Sequence, residues 1–156
     1  MVKPLDQEAP SCYRRRLPHW RQNHAVYFVT WRLHSQQPLL EPLERDVVVS
    51  ALHHFDRLRY QLLAYVVMDD HIHLIVAPND GFSLEILVHS WKSFLANQLQ
   101  RRFARRGTIW QDEYFDRIIR HEKEFLEKLQ YICNNPQKRW PDIEDYPWIG
   151  WRLMED

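Results

Sequence analysis

Two apolar runs, residues 61–68 (QLLAYVVM) and 71–77 (HIHLIVA), are separated only by Asp69 and Asp70. Short apolar runs joined by two turn-forming residues signal an antiparallel hairpin. Side chains alternate along a strand, so Ile72, Leu74 and Val76 share one face and His71 and His73 the other. The rest of the chain must supply layers for both faces. Residues 25–33 (AVYFVTWRL) are β-branched and aromatic and read as a further strand. Pro42 stands where a helix can begin, and Leu43, Val47, Ala51, Leu52 and Phe55 recur at helical spacing over 43–58. Ser83, with Glu85 just inside it, reads as the N-cap of a helix reaching about Arg105, with Gly107 placed to stop it. Residues 115–120 alternate weakly and predict a short last strand. A helix over 122–135 is expected to end at Pro136. The order β-α-β-β-α-β-α is that of the ferredoxin-like split βαβ arrangement with one extra C-terminal helix. The expected fold is therefore α+β, an antiparallel sheet of about four to five strands. Residues 1–12, polar with two prolines, read as a disordered lead-in, and 13–156 as a single domain.

Composition removes several chemistries. The 156 residues hold only 3 glycines, Gly81, Gly107 and Gly150. Their wide spacing excludes a dinucleotide-binding loop, a P-loop and a GxSxG elbow, so no nucleotide cofactor is expected. The 2 cysteines, Cys12 and Cys133, make neither a four-cysteine zinc site nor a disulfide framework, and free thiols suit the cytoplasm. The longest fully apolar run, residues 62–68, is far short of a membrane span, and no apolar signal core stands at the N-terminus.

The formal net charge is zero, but the charges are unevenly placed. Residues 142–156 carry five acids and one base, which leaves 20 bases against 16 acids over 1–141. Bases cluster at Arg14, Arg15, Arg16 and Arg21, at Arg101, Arg102, Arg105 and Arg106, and at Lys138 and Arg139. Any one cluster is an ordinary solvated face. Three of them interleaved with aromatics point to a nucleic-acid surface.

Two imidazoles at i and i+2 on one strand face can converge on one metal ion, although a bare HxH equally describes two histidines on an exposed sheet. HExxH is absent, because position 125 after His121-Glu122 is Phe125, and the deaminase PCxxC is absent too. The last helix carries Tyr131-Ile132-Cys133-Asn134-Asn135. Tyr131 and Asn135 are i and i+4 and share a helix face. If that face lies over the histidines, Tyr131 is a nucleophile beside a metal and Asn135 an oxygen ligand. Two imidazoles and an amide oxygen suit Mg²⁺ or Mn²⁺ better than structural zinc. The other reading makes Tyr131 an aromatic core residue beside Leu126, Leu129 and Ile132.

Motifs in order then carry a resemblance. Arg15-Arg16-Leu17-Pro18-His19 precedes residues 27–33 (YFVTWRL), and Val66-Val67-Met68 leads into His71-Ile72-His73. Ser90-Trp91-Lys92-Ser93-Phe94, Trp110-Gln111 and residues 114–120 (YFDRIIR) follow. Tyr131-Ile132 comes before Asn134-Asn135-Pro136, and Asp145-Tyr146-Pro147-Trp148 closes the series. Over roughly residues 13–148 the chain resembles the single-tyrosine HUH transposases, and within them the REP-associated tyrosine transposases. One departure is Asp70, where family members often carry Asn. The resemblance implies a metal-dependent enzyme that cleaves single-stranded DNA beside hairpin repeats and rejoins it through a 5′-phosphotyrosine. It assigns His71 and His73 as metal ligands, Tyr131 as the nucleophile and Asn135 as the third ligand position. Arg14, Arg15, Arg16, Lys92, Arg101, Arg102, Arg105 and Arg106 are the expected DNA contacts. Relatives act as monomers or as homodimers with the tyrosine supplied in trans. Tyr114, beside Trp110 and Phe115, is the second candidate nucleophile.

Two rival readings remain at the level of sequence. One is a module that binds hairpin DNA without cutting it. The other is an RNA-binding ferredoxin-like domain that stacks bases on Tyr27, Phe28 and Trp31, though it lacks the glycine-rich RNP signature.

Overall fold

The computed structural model describes residues 25–152. Its elements run β1 (Val26–Leu33), α1 (Pro42–His54), β2 (Tyr60–Val67), β3 (His71–Pro78), α2 (Leu84–Phe103), β4 (Trp110–Ile119), α3 (Glu122–Arg139) and β5 (Ile149–Trp151). The strands form one antiparallel sheet in the order β4-β1-β3-β2-β5. The first four are the expected split βαβ arrangement, and β5 extends the β2 edge.

Strand alternation splits the interior into two layers. Val29, Trp31, Leu62, Tyr65, Ile72, Leu74 and Val76 pack on one face against Val48 and Leu52 of α1 and Leu87, Trp91, Leu95 and Leu99 of α2. Phe28, Leu63, Ala64, Val66, Ile75 and Ala77 pack on the other against Phe125, Leu129, Ile132 and Cys133 of α3. The ladder shifts register between Leu62 and Ala64, which lets neighbouring Leu63 and Ala64 both join the α3 layer.

Several boundaries differ from the sequence expectation. Helix α1 stops at His54 because Arg57 takes a left-handed turn (φ 72°) and Asp56 Oδ1 accepts the Leu62 amide, 2.8 Å away. Ser83 caps α2 as expected, its Oγ accepting the Ile86 amide. The stop falls earlier than Gly107, at left-handed Ala104 (φ 56°). Strand β4 begins five residues before the expected 115. Most of it is exposed on both faces, so its sequence alternates poorly even though its ladder with β1 is long. Helix α3 passes through Pro136. The proline removes one backbone donor, and contacts beyond it hold the last turn. Arg139 reaches Asp69 Oδ2 at 3.0 Å, the Trp140 amide bonds the Pro136 carbonyl, and the Trp140 ring stacks on Tyr146. Short β5 was not foreseen. Its Gly150 lies against the Tyr65 ring, where a Cβ would come within 2.9 Å, so a larger residue would have to displace that ring.

Candidate active site

Helix α3 covers the histidine face of the sheet, which decides the alternative left open for Tyr131. Phe125, Leu129 and Ile132 enter the core, while Tyr131 stays 41% exposed at the border of that layer. Its ring meets His73 edge-on with centroids 5.2 Å apart, and meets Phe28 edge-on at 6.0 Å. The His71 and His73 rings lie 4.6 Å apart.

Each imidazole is fixed through Nδ1. His71 Nδ1 donates to the Asp70 carboxylate at 2.6 Å, so its ring proton is placed by an acceptor-only group. Asp70 therefore serves the turn and orients the histidine, and the departure at this position supplies an oxygen. His73 Nδ1 shares a 2.6 Å hydrogen bond with Thr30 Oγ1, directly across the ladder from β1. Both Nε2 atoms are thereby left out of these contacts. His71 Nε2 stands 3.1 Å from Asn135 Oδ1, two groups that both accept when the ring is neutral with its proton on Nδ1. His73 Nε2 is buried with no hydrogen-bond partner among the described residues. Burial, then the charges of His71, Arg32, Lys128 and Lys138, push the His73 pKa down to about 3. Its ring is neutral near pH 7, the state that can ligate a metal. Among the described residues no three His, Cys, Asp or Glu side chains converge. The convergent set is two imidazoles and an amide.

A cleft of about 640 Å³ opens beside this set, walled by Thr30, Arg32, His73, Phe115, Lys128 and Tyr131 among others. Lys138 Nζ lies 5.0 Å above the Tyr131 ring and Lys128 Nζ 5.0 Å above Phe28. Arg32 and Lys128 were not among the site residues singled out from the sequence, and Lys138 was named there only as part of a basic cluster with Arg139. A usable signal existed, because Lys128 and Lys138 stand three and seven residues from Tyr131 and share its helix face.

The expected DNA contacts divide. Arg14, Arg15 and Arg16 lie outside the described residues, as does the lead-in 1–12. Arg105 is corrected to a structural role. Its guanidinium donates to both Glu44 carboxylate oxygens, to Gln37 Oε1 and to the Pro38 and Leu39 carbonyls. Both side chains of that ion pair are almost fully buried, which leaves Arg105 nothing to offer a phosphate. Lys92 is likewise tied into the fold, its ammonium donating to the Gln111 and Asp112 carbonyls of β4 at 2.7 and 3.0 Å. Arg101, Arg102 and Arg106 are exposed in or just after α2, in the layer opposite Tyr131.

Tyr114 faces away from the histidines. It pairs with Trp31 in the ladder and packs against the α1/α2 layer. The stacking platform suggested for Tyr27, Phe28 and Trp31 of β1 is not presented as one surface: Trp31 and Phe28 are 1% and 4% exposed under helices on opposite faces, and Tyr27 is half-buried against the α1/α2 layer.

The family description "Transposase IS200 like" matches residues 21–135. A Haemophilus influenzae protein named as a REP-associated tyrosine transposase is 27% identical over 101 residues, 57% of this chain and 57% of that protein. This chain thus matches little more than half the length of that relative. A solved REP-associated tyrosine transposase bound to a REP hairpin shares the fold with a TM-score of 0.62 at 21% identity, over 84% of this chain and 81% of that one. A Deinococcus radiodurans protein described as a transposase gives a TM-score of 0.56 at 20% identity, over 74% of this chain and 95% of that one.

Proposed function

The chain belongs to the IS200-like transposase family, and from that premise we propose that it is a DNA strand transferase that nicks single-stranded DNA beside hairpin repeats, with Tyr131 as nucleophile. The observation that carries this is the seating of Tyr131 over His73, with Asn135 one helical turn on and facing His71.

In the proposed reaction the Tyr131 phenolic oxygen attacks phosphorus. The bond from phosphorus to the 3′ oxygen breaks, the 3′-side strand stays on the protein through its 5′ phosphate as a 5′-phosphotyrosine, and the proton lost by tyrosine is balanced by the one gained at the 3′-OH. The reverse attack by a 3′-OH rejoins a strand. Bond energy is conserved, so no nucleoside triphosphate is required. Because Tyr131 lies over the histidines of its own chain, the reading needs no second copy to complete the site.

His71 Nε2, His73 Nε2 and Asn135 Oδ1 fit a divalent cation. The buried His73 Nε2, with no hydrogen-bond partner among the described residues, is unfavourable on its own, and His71 Nε2 and Asn135 Oδ1 stand 3.1 Å apart. Mg²⁺ or Mn²⁺, when bound, supplies Lewis-acid polarisation of a phosphoryl oxygen. Asp70, an acceptor only, places the His71 proton on Nδ1 and leaves Nε2 to Asn135, while the Thr30 hydroxyl holds the orientation of the His73 ring. Hairpin DNA is the proposed substrate by likeness to the solved relative bound to a REP hairpin.

The test is denaturing electrophoresis of 5′- and 3′-labelled hairpin-bearing oligonucleotides. The label on the 3′-side fragment is expected to migrate with wild-type protein and with Tyr114→Phe, and with Tyr131→Phe no label should. An adduct that persists in Tyr131→Phe and disappears in Tyr114→Phe moves the chemistry to the other face of the sheet.

A further inference from the structure

The cleft beside Tyr131 contains a surface that the chemistry above does not use. Phe115 is 56% exposed, although it is a large aromatic on a strand. The run Trp110–Phe115 looks like one aromatic cluster in sequence, and the fold divides it. The Trp110 and Tyr114 rings pack against the α1/α2 layer, although Tyr114 also borders the cleft, while Phe115 shares the sheet face of Thr30 and His73 and forms part of the cleft wall. Its position is set by the ladder. Phe115 pairs with Thr30, and Thr30 pairs with His73, so the three form one row across the sheet. Adjacent strands lie about 4.8 Å apart, which puts Phe115 about 10 Å from the His73 position. A sugar with its base spans such a distance.

The same cleft is cationic. Arg32 and Lys128 line it, and among the described residues neither is held in an ion pair. Glu113 is the one carboxylate in its wall. Phe115 has no protein ring stacked on it among the described contacts, whereas Phe28 is covered by His73, Tyr131 and Lys128. An exposed aromatic face next to unpaired cations recognises an unpaired nucleotide, base on ring and phosphate on ammonium or guanidinium.

We propose that this cleft seats one unpaired nucleotide next to the phosphate attacked by Tyr131, its base stacked on Phe115 and its phosphate held by Arg32 and Lys128. A base inside a duplex presents no free face to Phe115, so the seat selects single-stranded DNA at the cleavage position. The assignment rests on the strand-transfer reading for the identity of the neighbouring phosphate; the stacking itself does not.

The probe is a short single-stranded oligonucleotide with 2-aminopurine scanned through each position around a hairpin foot, titrated with the full-length protein. One position should be quenched by wild type and by Phe115→Trp, and left unquenched by Phe115→Leu and Phe115→Ala. Loss of one stacked base should weaken single-strand binding about five- to hundredfold and leave binding of a fully paired duplex of the same sequence unaltered. Because Phe115 is exposed, these variants are expected to fold, which circular dichroism and the unaltered duplex binding both check. Quenching and affinity that stay at wild-type values in Phe115→Ala overturn the proposal. Equal weakening for single strand and duplex does so as well. Covalent trapping by wild type and Tyr131→Phe separately decides the strand-transfer reading, so either idea can fail alone.

Discussion

The two faces of one sheet are built from similar residue types and reach opposite ends. On the α1/α2 face, Trp31 and Trp91 stack with centroids 6.0 Å apart, Tyr60 meets Trp91 edge-on at 4.9 Å, and the Tyr60 hydroxyl donates to the Leu52 carbonyl. That face lies under two helices and is the closed one at the sheet, although Trp31 Nε1 beneath them has no hydrogen-bond partner among the described residues and a groove of about 750 Å³ runs between α1 and α2. On the α3 face, Phe28 stacks on His73, Tyr131 stands half-covered, and the His73 Nε2 has no partner among the described residues. One helix shields a face that two helices would seal, and the uncovered strip becomes the cleft. The difference teaches that aromatic content alone does not mark a site. Incomplete cover of the sheet, with two imidazoles, a tyrosine and cationic side chains meeting at the gap, does.

Substitution on each face should separate these roles. The largest effect expected is on the open face. Tyr131→Phe should reduce adduct formation to background, by about 10⁴-fold or more if it follows other removals of a catalytic nucleophile. Its thermal midpoint should stay near wild type, because only an exposed hydroxyl is lost. His71→Ala with His73→Ala should likewise abolish nicking and retain hairpin binding, measured by band shift, since phosphate contacts come from elsewhere. Chelation of divalent cations should reproduce that loss in wild type. Nicking by the double variant at wild-type rate would refute the assigned ligand set.

On the closed face the matched change is Trp91→Ala. It should cost about 3–5 kcal/mol in denaturant unfolding without altering the chemistry of the protein that remains folded. If Trp91→Ala removed nicking at full stability, the two faces would not be separable.

The buried Glu44–Arg105 pair fastens the closed side to the loop before α1. Burial raises the Glu44 pKa, but the hydrogen bonds from Arg105 and the Glu41 amide and the Arg105 charge outweigh it, so the net shift is downward. A depressed carboxyl pKa stabilises the fold above the ordinary carboxylate range, and this contribution is lost as pH falls from about 4.5 through the lower folded value. Arg105→Ala leaves Glu44 buried and unpaired and should cost about 3–5 kcal/mol near neutral pH. The gap from wild type should shrink on acidification, as read from urea midpoints across pH. A gap that does not narrow would show that the carboxylate charge is not what Arg105 holds.

The smallest effect is electrostatic. Lys128→Met should lower the log–log salt slope of single-strand binding by about 0.7, the value for one phosphate neutralised. Arg105→Ala should leave the slope as it is. Deleting residues 1–16 tests the same quantity for Arg14, Arg15 and Arg16, where a flattened slope is the expected outcome. Equal slopes for Lys128→Met and wild type would remove that lysine from the interface.

What the sequence determined by itself is whatever local geometry dictates. The hairpin around Asp69-Asp70, the shared face of His71 and His73, and the one-turn spacing of Tyr131 and Asn135 follow from the repeat of a strand and of a helix. The order of elements and the ordered motifs pointed to the fold and the family. Tertiary structure decided which layer α3 covers, and with it whether Tyr131 is a core residue or stands over the histidines. It also decided the fate of the charges. Arg101, Arg102, Arg105 and Arg106 are alike in sequence, yet only Arg105 meets a buried carboxylate and three backbone or amide oxygens from a loop more than 60 residues earlier. The same holds for Pro136, which should end a helix on local grounds and is overridden by Arg139 on Asp69 and Trp140 on Tyr146. A periodic pattern reports how a segment repeats along its own axis. Which partner a side chain meets depends on chain closure over long separations, and no local repeat encodes that.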